Sequence, residues 1–190
     1  MIRLARASFA CLVVAGLTVG CMGPKGDSLA EKRQAVRDMR ADTLNELYQV
    51  HPGARGAIAS ADGYGAFSNV GVNLFLLSTG NGWGVVHDNE TGEDVYMRMF
   101  TAGVGIGLGV KDFRGVFVFT DRDALMRFIE KGWEAGAQAD AVAKAGEKGG
   151  AFAGAVDIAP GIKLYQITEN GLALQATIQG SKYWKDGDLN

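Results

Sequence analysis

Few residues in this 190-residue chain have the type and spacing that chemistry needs. The first to test lie in "TAGVGIGLGV", residues 101–110, where Gly103, Gly105, Gly107 and Gly109 take every second position. A loop that cradles a dinucleotide pyrophosphate needs G-x-G-x-x-G. Counted from Gly103 the third glycine falls on Leu108, and from Gly105 on Val110. A nucleoside-triphosphate loop ends in Gly-Lys-Ser/Thr, but Lys111 stands between Val110 and Asp112. Phosphate cradling by this run is excluded on spacing. Strict alternation predicts a strand, with Ala102, Val104, Ile106, Leu108 and Val110 on one face and bare glycines on the other. A bare face lets another body approach the backbone. That body is either a helix carrying Gly132, Gly136 and Ala137, or an apolar lipid chain.

Other chemistry is thinly provided. His51 and His87 are the only histidines and stand far apart, so no metal site is spaced by the sequence and none is expected. His87 falls at a strand end and reads as a surface or hydrogen-bonded residue. There is no G-x-S-x-G elbow for a serine nucleophile, and carboxylates are scattered singly through turns. No catalytic residue and no cofactor is assigned. An acidic chain of formal net charge −2 without basic clusters argues against nucleic acid as a partner.

Cys21 is the exception. Arg3 and Arg6 precede "ASFACLVVAGLTVG", an apolar run of signal-peptide length and too short for a membrane span. Gly20 stands immediately before Cys21, which resembles a bacterial lipobox, although Thr18 occupies the usual leucine position. In that chemistry the thiol takes a diacylglycerol and the freed amine is often acylated. Two or three acyl chains anchor a protein stably. The expected organisation is a lipoprotein signal peptide over 1–20, a tether over 21–27 and one domain over 28–190. Losing Arg3 and Arg6 leaves 17 Lys and Arg against 21 Asp and Glu, a net charge of −4. Cys11 goes with the leader, so no intramolecular disulfide is expected. Met22, rather than aspartate, after the cysteine favours the outer membrane, facing the periplasm, in a Gram-negative host.

Elements must position these groups. Ser28 and Glu31 form a capping-box pattern that opens a helix running to His51-Pro52-Gly53. Leu29, Val36, Met39, Leu47 and Val50 share one face of it, and Glu31, Asp38, Asp42 and Asn45 lie opposite. Arg33, Arg37 and Arg40 form a stripe along one flank. They are either solvated arginines of a surface helix or groups that meet lipid phosphates. Strand patterns follow near 64–77 and 83–87, with a turn at Gly80-Asn81-Gly82. A second turn at 89–94 leads to strands over 95–100, 102–110 and 116–121, with "KDFRG" as a connection. Such short connections require antiparallel pairing. A second helix starts at Thr120 or Asp121, its apolar face formed by Leu125, Phe128, Ile129, Trp133 and Ala137. Asn170-Gly171 predicts a closing hairpin. The fold class is α+β: a single domain in which an antiparallel, glycine-rich sheet is flanked by an N-terminal and a central helix. Glycine, at 28 residues, and a 47% hydrophobic content support a packed domain with close strands.

Four stretches together resemble the SYLF lipid-binding family: "SADGYGAFSNVGV", the segment from Gly103 through Gly132-Trp133-Glu134, the Thr168-Glu169-Asn170-Gly171 turn with its flanks, and Lys182-Tyr183-Trp184 with the terminal "KDGDLN". The resemblance covers roughly residues 28–190. The proline-containing forms usual in the family are here Phe67-Ser68-Asn69-Val70 and Tyr183-Trp184-Lys185-Asp186. The resemblance implies lipid binding through an amphipathic N-terminal helix and basic residues, which map onto Arg33, Arg37, Arg40, Lys111 and Arg114. The expected function is therefore non-enzymatic: a lipid-anchored protein of the bacterial envelope whose domain binds anionic membrane phospholipids. The alternative is an interaction module holding an envelope protein partner, with the anchor serving only to localise it.

Overall fold

The computed structural model describes residues 23–134, 154–167 and 180–190. The expected leader over 1–20, Cys21, Gly136, Ala137 and Asn170-Gly171 lie outside them. Ser28 opens α1 (Leu29–Val50) as a full capping box: its hydroxyl accepts from the Glu31 N–H, and the Glu31 carboxylate accepts from the Ser28 N–H. After His51 a six-residue helix, α2 (Ala54–Ala59), leads to the sheet.

Two strands dominate, β1 (Gly63–Asp88) and β2 (Asp94–Phe119), each of 26 residues and paired antiparallel from Gly63↔Phe119 to His87↔Asp94. The expected turn at 89–94 is the hairpin loop. The expected turn at Gly80-Asn81-Gly82 and the connection "KDFRG" are instead strand. The glycines there serve close packing rather than chain reversal. A Cβ on Gly82 would meet the Ser68 carbonyl and come within 2.7 Å of Asn69 Cβ, and one on Gly84 would lie 2.7 Å from Phe67 Cγ. The hairpin therefore curls until the second half of β1 lies against its first half. The alternating run 101–110 is strand, as its pattern predicts, and pairs with Asn73, Leu74 and Phe75 through Gly109, Leu108 and Gly107.

α3 (Arg122–Lys131) is capped by the Asp121 side chain, which accepts from the Ala124 N–H. It stops at Gly132, whose φ of 74° suits glycine. Trp133 thus leaves the expected helix and forms β3 (Trp133–Glu134). β4 (Val156–Ala159), β5 (Ile162–Ile167) and β6 (Ser181–Lys185) complete a six-stranded sheet among the described residues. β5 and β6 are not partners of each other. Both run antiparallel to β2, β5 along 114–119 and β6 along 97–101. The outer edges of β5 and β6 are taken by β4 and β3. The hairpin expected around Asn170-Gly171 lies outside the described residues; β5 and β6, the described segments on either side of it, both track β2.

The curl encloses the core. Phe67, Phe117, Phe128 and Tyr183 meet edge-on or tilted at 4.9–6.1 Å, joined by Val86, Met97, Met99 and Leu125. α1 lies across the outside and bridges both halves of the curl. Its first half packs Val36 and Met39 on Val85 and Tyr96; its second packs Leu44, Leu47 and Tyr48 on Val116, Val118 and Tyr165. Burying a side chain such as Val36 or Leu47 stabilises by about 1.5–3 kcal/mol. Leu29 and Val50, expected on that face, sit at the helix ends and remain exposed. The molecule is a single α+β domain whose antiparallel sheet is flanked by α1 and α3.

Candidate functional site

α1 places its three arginines in different chemical settings. Arg40 is tied down: Nη1 contacts Asp94 Oδ1 at 2.5 Å, and the same oxygen lies 2.7 Å from His87 Nδ1. His87 and Asp94 are the last register pair of the hairpin. This cluster fastens the middle of α1 to the hairpin end, and His87 is the hydrogen-bonded residue its position predicts. Arg114 is also engaged, with Glu46 Oε2 at 2.9 Å, and pins the second half of α1 to β2. Lys111 belongs to β2, and its side chain lies outside what is described.

Arg33 and Arg37 are arranged differently. They border an open depression beside Tyr96, Lys185, Leu189 and Asn190. Arg33 donates through Nε to the Leu189 carbonyl at 2.7 Å and lies over the Tyr96 ring, 5.9 Å from its centroid. Arg37 donates to the Tyr96 hydroxyl at 2.6 Å and is braced by Gln34 Oε1. Tyr96 is itself fixed from the other side. Its N–H donates to Asn190 Oδ1 at 3.0 Å, and its carbonyl accepts from Asn190 Nδ2 at 2.9 Å and from the Asp186 N–H at 2.9 Å. The Asn190 side chain thereby imitates a neighbouring peptide group. Lys185 adds a third cation at the margin, and Glu93 and Asp94 border the other side. One guanidinium over the Tyr96 ring and one on its hydroxyl, with an ammonium nearby, suit an anionic group such as a phosphate.

The structure thus brings Arg33 and Arg37 together and separates Arg40 and Arg114 from them by ion pairing. Lys185, Tyr96 and Asn190 complete the arrangement and are missed by sequence reasoning, since long loops of sequence separate them from α1. The aromatic-basic run Tyr183-Trp184-Lys185 is the one signal that could have drawn attention to that region. Among the described residues no three His, Cys, Asp or Glu side chains gather as a metal site, and no helix is long and apolar enough to cross a membrane.

No protein-family model matches the chain. Among characterised proteins it is similar to Beta cell expansion factor A of Aeromonas veronii, with 37% identity over 161 residues. That alignment takes in 84% of this chain but 59% of the relative, so the chain spans about three fifths of the length of the protein it matches.

Proposed function

We propose that this protein is a non-enzymatic, lipid-anchored envelope protein whose SYLF-like domain binds anionic phospholipids. The observation that carries the reading is the open depression at the first half of α1, where Arg33, Arg37 and Lys185 surround Tyr96. Each cation near an anionic bilayer contributes about 1 kcal/mol, screened by salt. A net acidic domain would therefore need such a local cluster, backed by the Cys21 anchor, to remain at an anionic surface. The anchor supplies residence at the bilayer and the cluster supplies headgroup preference. Arg40 and Arg114 hold α1 in place and contribute indirectly.

Co-sedimentation of the Cys21→Ser chain with phosphatidylglycerol-containing and with pure phosphatidylcholine vesicles tests this. Preferential pelleting with the anionic vesicles is expected. Equal pelleting with both removes the charge component, and no pelleting with either removes lipid binding and leaves the protein-partner reading.

A further inference from the structure

The outward side of the sheet near the hairpin end is only partly covered by α1. Beyond the Val36–Tyr96 cluster, three side chains form a cross-strand row: Trp83 on β1, Arg98 on β2 and Trp184 on β6. The next row is Asn81, Phe100 and Lys182, with Glu134 beyond it on β3. Their neighbours on the same strands, Met97, Met99 and Tyr183, point into the core, so this row faces away from it. Trp184 is 37% exposed and Phe100 36% exposed, while the equivalent surface over Val85 and Tyr96 is buried beneath α1. Trp184, an apolar indole with a polar N–H edge, has the character of an interfacial anchor, and Phe100 adds apolar surface beside it.

The placement of Gly23 and Pro24, next to Cys21 in sequence, bears on what meets this face. Gly23 and Pro24 border the same shallow depression as Trp83, Arg98 and Trp184. Cys21 is two residues before Gly23, a reach of at most about 7 Å along the backbone. An acyl group carried on Cys21 would therefore be tethered within that reach of Gly23, which borders the aromatic row.

We infer that the face carrying Trp83, Phe100, Lys182 and Trp184 is the surface on which the protein seats against a phospholipid bilayer. The inference rests on the proposed membrane function and on Cys21 as its anchor, and it adds the orientation. The formal charges of the face are offset: Arg98 lies 2.7 Å from Asp186 and 3.6 Å from Asp188, and Lys182 lies 3.9 Å from Glu134. Seating is therefore carried by the aromatic rings and does not depend on headgroup charge. Charge preference belongs to the Arg33–Arg37 depression, which Trp83 adjoins by packing against the Val36–Tyr96 cluster.

The test is tryptophan fluorescence of the acylated full chain in phosphatidylcholine vesicles whose acyl chains carry bromine, a quencher confined to the bilayer. Emission should be quenched, and Trp184→Phe should lose at least half of that quenching. Trp133→Phe, which alters a core-packed ring, should keep it. Phe100→Ser should weaken quenching of the remaining tryptophans, and adding phosphatidylglycerol or salt should change it less than twofold. Quenching unchanged by Trp184→Phe, no quenching, or no association with vesicles overturns the inference. The two readings separate cleanly. Selective pelleting of the Cys21→Ser chain on anionic vesicles, with Trp184 unquenched in the acylated chain, leaves the proposed function standing and overturns the orientation. Quenching at Trp184 without anionic selectivity does the reverse for the charge component.

Discussion

Gly82 lies directly against the backbone of Ser68, fourteen residues earlier on the same strand, because β1 curls back on itself. No side chain fits between them. Gly82→Ala should destabilise the domain by about 1–3 kcal/mol through overpacking, read as a lower urea midpoint. Gly56, in α2 with open space around it, is the control. Gly56→Ala should stabilise by about 0.5–1 kcal/mol. A neutral Gly82→Ala would contradict the close approach.

Acid should unfold the domain through two carboxylates. Asp88 closes the hairpin loop, accepting from Arg122 at 2.7 Å and from the N–H groups of Glu90 and Thr91. The Arg122 guanidinium, aided by those N–H groups and opposed by burial, holds its carboxyl well below the usual range. For Asp186, burial acts upward, but Arg98 and the N–H groups of Asp188 and Leu189 outweigh it and hold the carboxyl low. A depressed folded pKa gives stability that is complete above the unfolded value, about 4, and is lost as pH falls through the folded one. Stability should be flat from neutrality to about pH 5 and decline below about pH 4. Asp88→Asn should lose about 1–3 kcal/mol at pH 7 and flatten that decline, as followed by thermal melts across pH.

Arg40 and Arg33 share a helix stripe but should separate experimentally. Arg40→Ala leaves Asp94 with His87 alone, at a cost of about 1–3 kcal/mol in stability, and should leave anionic-vesicle affinity within about twofold. Arg33→Ala should show the opposite balance. Urea melts and co-sedimentation on the same two variants check the pair, and the reverse pattern would show that Arg40 is the headgroup contact.

This division was not legible in the sequence. The capping box at Ser28, the loop at 89–94 and the alternating run 101–110 are local patterns, and local physics sets them. Helical projection also places Arg33, Arg37 and Arg40 on one flank correctly. What it cannot supply is the Leu189 carbonyl at Arg33, the Tyr96 hydroxyl at Arg37 or Asp94 at Arg40, because each partner arrives through tertiary packing. The same limit explains Gly80-Asn81-Gly82. Glycine serves tight turns and close backbone approach alike, and only the curl of β1 decides between them. Trp133 left its expected helix because Gly132 adopts a positive φ, and α2 carries too short a pattern to be distinguished from the strands that follow.

Asn190 should matter through its side chain. Asn190→Ala removes the two bonds to the Tyr96 backbone and the bond to the Asp186 carbonyl. A loss of about 1–2 kcal/mol is expected, with faster hydrogen exchange at the Tyr96 amide. Unchanged exchange at that amide would show that the peptide-like pairing does not hold Tyr96.

The proposed recognition of anionic phospholipid by Arg33 and Arg37 is tested most directly by a vesicle-binding titration of the Cys21→Ser chain against its Arg33→Ala/Arg37→Ala counterpart. With phosphatidylglycerol-containing vesicles at low salt, the double variant should bind about tenfold to thirtyfold more weakly, and the difference should shrink as salt rises. Equal affinity of the two proteins across the salt series would show that Arg33 and Arg37 do not meet the headgroups.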